Sequence, residues 1–136
     1  MALIGGGGAG NVGGGNPSGT GKGLNYIGDH AYAHSGIVSV TNTETTLLEF
    51  FVSSNQYLIA RITIGSQAGS GDDMKMSVLI NNEQVYSNYE ALVSMPTQNP
   101  LHILLPPDSS VKVVAQNVGS ASGREMECVI VGRVYA

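Results

Sequence analysis

The chain has 136 residues, of which 42% are hydrophobic and 12% charged, with a formal net charge of −4 and one cysteine. A single domain of this length buries a sizeable core. The acidic balance argues against a polyanionic partner such as nucleic acid, and no apolar run approaches the ~20 residues of a membrane span.

Charged residues stand at about half the usual ~25%, so the surface is covered by Ser, Thr, Asn, Gln and Gly or is partly buried against partners. The lone Cys128 rules out an internal disulfide, which fits assembly in a reducing cytosol. The opening MALIGGGG has no basic segment and a very short apolar run, so no signal peptide is expected.

Residues 5–23 hold 11 of the 19 glycines, one proline and one charge, Lys22. Glycine is entropically costly to order and offers no side chain to bury. The expected organisation is therefore a flexible arm over residues 1–27 followed by a β domain over 28–136. Fully extended, an arm of 24 residues reaches roughly 80 Å. Leu3 and Ile4 at its tip, and Leu24 and Tyr26 at its root, are the side chains expected to anchor it on neighbouring subunits. The following YIGDHAYAH (26–34) shows no clean period and reads as an irregular segment on the domain edge.

From Gly36 onward, strand signals recur at short intervals between turn residues. IVSVT (37–41) is the first and TTLLEFFV (45–52) the second, with Leu48, Phe50 and Val52 on one face. YLIARITIG (57–65) turns Leu58, Ala60, Ile62 and Ile64 inward and Arg61 and Thr63 outward. MKMSVLI (74–80) turns Met74, Met76, Val78 and Ile80 inward. Asn81-Asn82 tolerates the positive φ of a two-residue hairpin turn, and EQVYSNY (83–89) returns. ALVSMPTQNP (91–100) reads as a crossing connection. LHILL (101–105) and VKVVAQNV (111–118) alternate again, and Pro106-Pro107-Asp108-Ser109-Ser110 between them reads as a stiff hairpin corner. REMECVIVGRVY (124–135) is the last strand, with Met126, Cys128 and Ile130 on one face. Eight strands and no sustained helical period predict an all-β, eight-stranded antiparallel β-sandwich. The jelly roll is the leading topology and an immunoglobulin-like Greek key the second.

The motifs that carry chemistry are weak. Gly8, Gly10 and Gly13 match G-x-G-x-x-G, but any Gly-dense stretch does, and no strand-to-helix frame surrounds them. GNPSGTGKG (15–23) resembles a phosphate-binding loop, yet Asn16 holds the first glycine position and Gly23 stands where Ser or Thr should follow Lys22. His30 and His34 could share a helix face at i and i+4, but zinc needs three or four ligands; Asp29 is adjacent, His102 and Cys128 are distant in sequence, and packed or solvated imidazoles are expected instead. Asp72 and Asp73 in a Gly/Ser loop are too few for calcium. There is no G-x-S-x-G elbow and no acid–His–Ser arrangement. No enzyme activity, cofactor or metal is expected.

The glycine-rich arm ahead of a small, weakly charged sandwich, the PPDSSVKV corner (106–113) and the terminal VIVGRVYA (129–136) together resemble the capsid decoration, or cement, proteins of tailed bacteriophages. Gly132 to Tyr135 after an apolar strand carries most of that likeness. The resemblance implies a structural virion protein without enzyme activity. It would bind the assembled shell of major capsid subunits, often as a homotrimer, on the capsid surface after assembly in the host cytoplasm. Leu3, Ile4, Leu24 and Tyr26 would then be capsid or subunit contacts. Strands such as LLEFFV and CVIVGRVY, apolar on both faces, point independently to homo-oligomer contacts. A non-basic arm disfavours genome packaging. The alternative is a receptor- or carbohydrate-binding module of a phage fibre or tail, whose mark would be an exposed aromatic cluster from Tyr26, Tyr32, Tyr86 and Tyr89.

Overall fold

A computed structural model describes residues 24–66, 72–92, 100–119 and 123–136. The expected arm up to Gly23, with Leu3 and Ile4, lies outside the described residues, as do 67–71, 93–99 and 120–122. Among the described residues ten strands are formed: β1 (Asn25–Ile27), β2 (His30–His34), β3 (Val38–Val40), β4 (Thr45–Val52), β5 (Tyr57–Ser66), β6 (Asp72–Ile80), β7 (Glu83–Leu92), β8 (Leu101–Leu105), β9 (Ser109–Asn117) and β10 (Arg124–Tyr135).

They make two antiparallel sheets. A six-stranded sheet runs β1-β2-β10-β5-β8, with β3 also on β10, and a four-stranded sheet runs β4-β9-β6-β7. The eight strands β2-β10-β5-β8 and β4-β9-β6-β7 have the strand order of a jelly roll, the leading expectation. The count is ten rather than eight because two short strands are added at the start of the domain.

One is β1. YIGDHAYAH is not irregular but contributes to a hairpin, with Tyr26 opposite Ala31 and Ile27 opposite His30. Gly28 supplies the positive φ at the first turn position (φ 62), which a residue with a Cβ rarely adopts. Two of the three buried side chains are alanines, Ala31 and Ala33 beside Tyr26, so the inward set reads weakly in a hydrophobicity pattern. The β sandwich thus begins at the root of the expected arm, with Asn25–Ile27 paired inside the sheet.

The other is β2, the second strand of that hairpin; β3 is the expected IVSVT strand, and β2 and β3 pair one after the other with β10, with an interruption between them. Ser35 closes the interruption: its N–H donates to the Cys128 carbonyl at 3.0 Å, and its Oγ accepts from the Cys128 N–H at 2.8 Å.

The stretch 101–117 is also corrected. It is not a hairpin: β8 pairs with β5 in the larger sheet, whereas β9 lies between β4 and β6 in the smaller one. The prolines therefore mark a crossing between layers. Ser109 Oγ donates to the Pro106 carbonyl at 2.6 Å, and the Asp108 N–H donates to the Ser53 carbonyl at 3.2 Å, which ties this corner to the one between β4 and β5. Alternation predicts the inward residues of both strands in either arrangement, because both apolar faces meet the same core.

The core lies between the sheets. Leu48, Leu58, Ile62, Leu105, Val113 and Ile130 are fully or almost fully buried, each contributing about 1.5–3 kcal/mol by transfer from water. A bulge in β4 between Thr46 and Leu48 lets Leu47 and Leu48 both turn inward. The apparent two-sided apolarity of LLEFFV reduces to Phe51 on the outside, 43% exposed.

Candidate functional site

With its alternate residues committed to the core, the six-stranded sheet presents the others outward. Registers across β2, β10, β5 and β8 set two adjacent rows. One reads His30–Arg133–Ile59–Leu104, and the next Tyr32–Val131–Arg61–His102. Ile59 and Leu104 are 48% and 52% exposed. Each row thus holds one His–Arg neighbour pair, at opposite ends of the array, with aliphatic side chains completing the centre. A shallow open concavity of about 270 Å³ lies over it, lined by His30, Ile59, Arg61, His102, Val131 and Arg133, together with Ala60 and Gly132. Gly132 belongs to an inward row with Ala31 and Ala60; a Cβ there would come within 3.3 Å of the Ala60 Cβ and the Ile59 carbonyl oxygen.

The two His–Arg pairs differ in their partners. Asp29, in the β1–β2 turn, bridges one: Oδ1 lies 2.8 Å from His30 Nδ1, and Oδ2 lies 3.0 Å from Arg133 Nη2. The turn is held in place by the Val134 N–H, which donates to the Asp29 carbonyl at 2.8 Å. Arg61 and His102 form the other pair, opposite one another on β5 and β8, and no hydrogen bond or ion pair engages either among the described residues. At one border of the face Tyr57 and Tyr135 stack at 5.2 Å, with the Arg133 guanidinium 5.9 Å from the Tyr135 ring centre. At the other, His34 Nε2 lies 3.2 Å from Glu127 Oε2. All three histidines of the chain are on this face.

The side chains expected to anchor the arm are placed otherwise. Leu24 is fully buried and Tyr26 is 6% exposed, both in the chain's own core. Tyr26 Oη accepts a hydrogen bond from Gln56 Nε2 at 2.6 Å, and burial raises its pKa. These two residues are turned into the sandwich because the strand they lead into pairs with β2, which directs Tyr26 to the interior beside Ala31. The tyrosine platform expected of a sugar-binding module is not assembled from Tyr26, Tyr32 and Tyr86: Tyr26 is in the core, Tyr32 is on the outer face and Tyr86 packs against the core from the other sheet.

His30 and His34 do share a face, through strand rather than helical spacing, and each meets its own carboxylate. Among the described residues no three His, Cys, Asp or Glu gather as metal ligands. Cys128 is buried on the inner side, where desolvation pushes its thiol up to about 12. Sequence reading weighed Asp29 and His102 only as metal ligands and missed Ile59, Arg61, Leu104 and Arg133 as members of this face. Their alternation marks Arg61 as outward, but nothing local reports that β8 and β10 flank β5.

No family model matches the chain, and no curated protein matches it. Several solved structures are similar in fold. A chain of Bacillus endospore appendages, a family of disulfide-linked pili, matches with a TM-score of 0.49 at 8% identity, over 79% of this chain and 88% of that one. The VP2 subviral particle of infectious bursal disease virus matches with a TM-score of 0.42 at 10% identity, over 82% of this chain and 35% of VP2. A family 35 carbohydrate-binding module from an environmental isolate matches with a TM-score of 0.34 at 14% identity, over 86% of this chain and 75% of the module. At these identities no function passes from them to this chain.

Proposed function

We propose that this chain is a structural virion protein of the capsid-decoration type. It binds and stabilises an assembled shell of major capsid subunits and sits on the capsid surface as a homotrimer after assembly in the host cytoplasm. The observation that carries the reading is that both outer faces of the sandwich keep large apolar side chains in the open: Ile59 and Leu104 on the larger sheet, Phe51 and Val85 on the smaller. A jelly roll needs to bury only the inner face of each sheet, so outward apolar groups are surface left for partners. With 12% charged residues there is little charge to hold copies or shell subunits apart.

The test is capsid occupancy and heat resistance of shells with and without the purified protein, alongside light scattering of the protein alone. Saturable occupancy and a trimer are expected. A chain that leaves shells unoccupied and stays monomeric at high concentration refutes the reading. One feature favours a receptor- or carbohydrate-binding module instead, the stacked Tyr57–Tyr135 pair beside Arg133. A glycan array separates the two, since a decoration protein gives no specific signal on it.

A further inference from the structure

We propose that Arg61 and His102 bind the carboxylate of an acidic side chain on a protein partner that docks against the outer face of the six-stranded sheet. The molecule carries its own template for this contact. Arg133 and His30 are cross-strand neighbours, and so are Arg61 and His102. The first pair is bridged by a carboxylate, Asp29, with one oxygen on each side chain at 2.8 and 3.0 Å. The second pair presents the same two donor types in the same cross-strand relation, with no carboxylate from this chain among the described residues. Directly opposed side chains on neighbouring strands stand about 5 Å apart at Cβ, a spacing that one carboxylate can span. A guanidinium also offers planar donors matched to it.

The surroundings fix the kind of ligand. Arg61 and His102 stand at the β8 end of the face, and although the chain as a whole is acidic, at −4, no acidic group of its own engages them among the described residues, so they suit an anion brought from outside. Beside them Ile59 and Leu104 are 48% and 52% exposed, and Val131 is half-buried. An acid flanked by aliphatic side chains matches both features. The concavity is shallow and open, and no Tyr, Phe or Trp ring lines it, which favours a protein surface over a sugar ring needing an aromatic platform. This deepens the assembly reading above by naming the chemistry of the partner's contact.

The test uses the isotopically labelled full chain and follows the Arg61 Nε–H and His102 ring signals by NMR. The probes are an acetylated, amidated Leu-Glu-Leu peptide, its Leu-Gln-Leu counterpart and glucuronic acid. The Glu peptide is expected to move both signals and the Gln peptide neither, with Arg61→Gln weakening the response about tenfold or more. Arg61 is on the surface, so unchanged core signals verify that this variant is folded. Asp29→Asn is expected to open a second carboxylate response at Arg133 and His30. The proposal is overturned if the Glu peptide moves neither signal, if Arg61→Gln responds as the parent does, or if Asp29→Asn gains no second site. Tighter binding of glucuronic acid than of the peptide overturns the protein partner in favour of a sugar. The titration contains no shell. A positive titration with unoccupied shells therefore counts against the virion reading alone, and a negative titration with occupied shells counts against this site alone.

Discussion

Replacing Leu24 by alanine asks whether the chain ahead of β1 belongs to the sandwich. Leu24 is fully buried, immediately before a three-residue edge strand that pairs with β2. Truncating a core leucine to alanine typically costs about 2–5 kcal/mol, the lost transfer energy plus the cavity left behind. An edge strand relaxes into a cavity more readily than a central one, which places the expected cost at about 2–3 kcal/mol. For a domain of this size each kcal/mol moves Tm by roughly 3–6 °C, so a fall of about 10 °C is expected. The assay is thermal and urea unfolding of the full chain, Leu24→Ala, and deletions of residues 2–23 and 2–24. Deleting 2–23 should move Tm by less than about 2 °C, because half of that segment is glycine and it carries little apolar area. Deleting 2–24 should fall with Leu24→Ala. A Leu24→Ala cost under about 0.5 kcal/mol, typical of a surface position, would refute the placement of Leu24 in the core.

Tyr26→Phe should destabilise by about 1–3 kcal/mol in urea unfolding, because it strands the Nε2 of Gln56, itself 2% exposed; a neutral result would mean that Gln56 finds another acceptor. Asn82→Gly should stabilise by about 0.5–1 kcal/mol, since Asn82 holds φ 65 in the β6–β7 turn. Asn81→Gly should gain less or lose, because Asn81 Oδ1 accepts from the Ser110 N–H at 2.9 Å; the reverse order of the two variants contradicts this account. Burial pushes Cys128 from 9.0 up to about 12 and raises Tyr26 above 10.0. The unfolded chain gives up these protons first, so their stability is fully present below the unfolded values and is lost as pH rises toward the folded ones. Cys128 alone should cost about 1.4 kcal/mol per pH unit between about 9 and 12. Urea unfolding of the parent and Cys128→Ala across that range checks it, and parallel slopes would remove Cys128 as the cause.

Local chemistry is enough to make the strands and to choose their inner faces. Leu58, Ala60, Ile62 and Ile64 alternate with outward Arg61 and Thr63 in the sequence, and the sandwich buries that set. Asn81-Asn82 announces its own turn, because few other residues tolerate two successive positive φ angles. What alternation cannot report is which sheet a strand joins. Strands β8 and β9 are adjacent in sequence and lie in opposite layers, yet Leu105 and Val111 are buried just as a hairpin would bury them. Short inward alanines hid β2, and a bulge made β4 look apolar on both sides. The candidate site was less legible still. Asp29, Arg61, His102 and Arg133 are spread over more than a hundred positions and become neighbours only through the order β2-β10-β5-β8. That order is set by long-range pairing and by the fit of two sheets around one core, a property of the whole chain that no short stretch encodes.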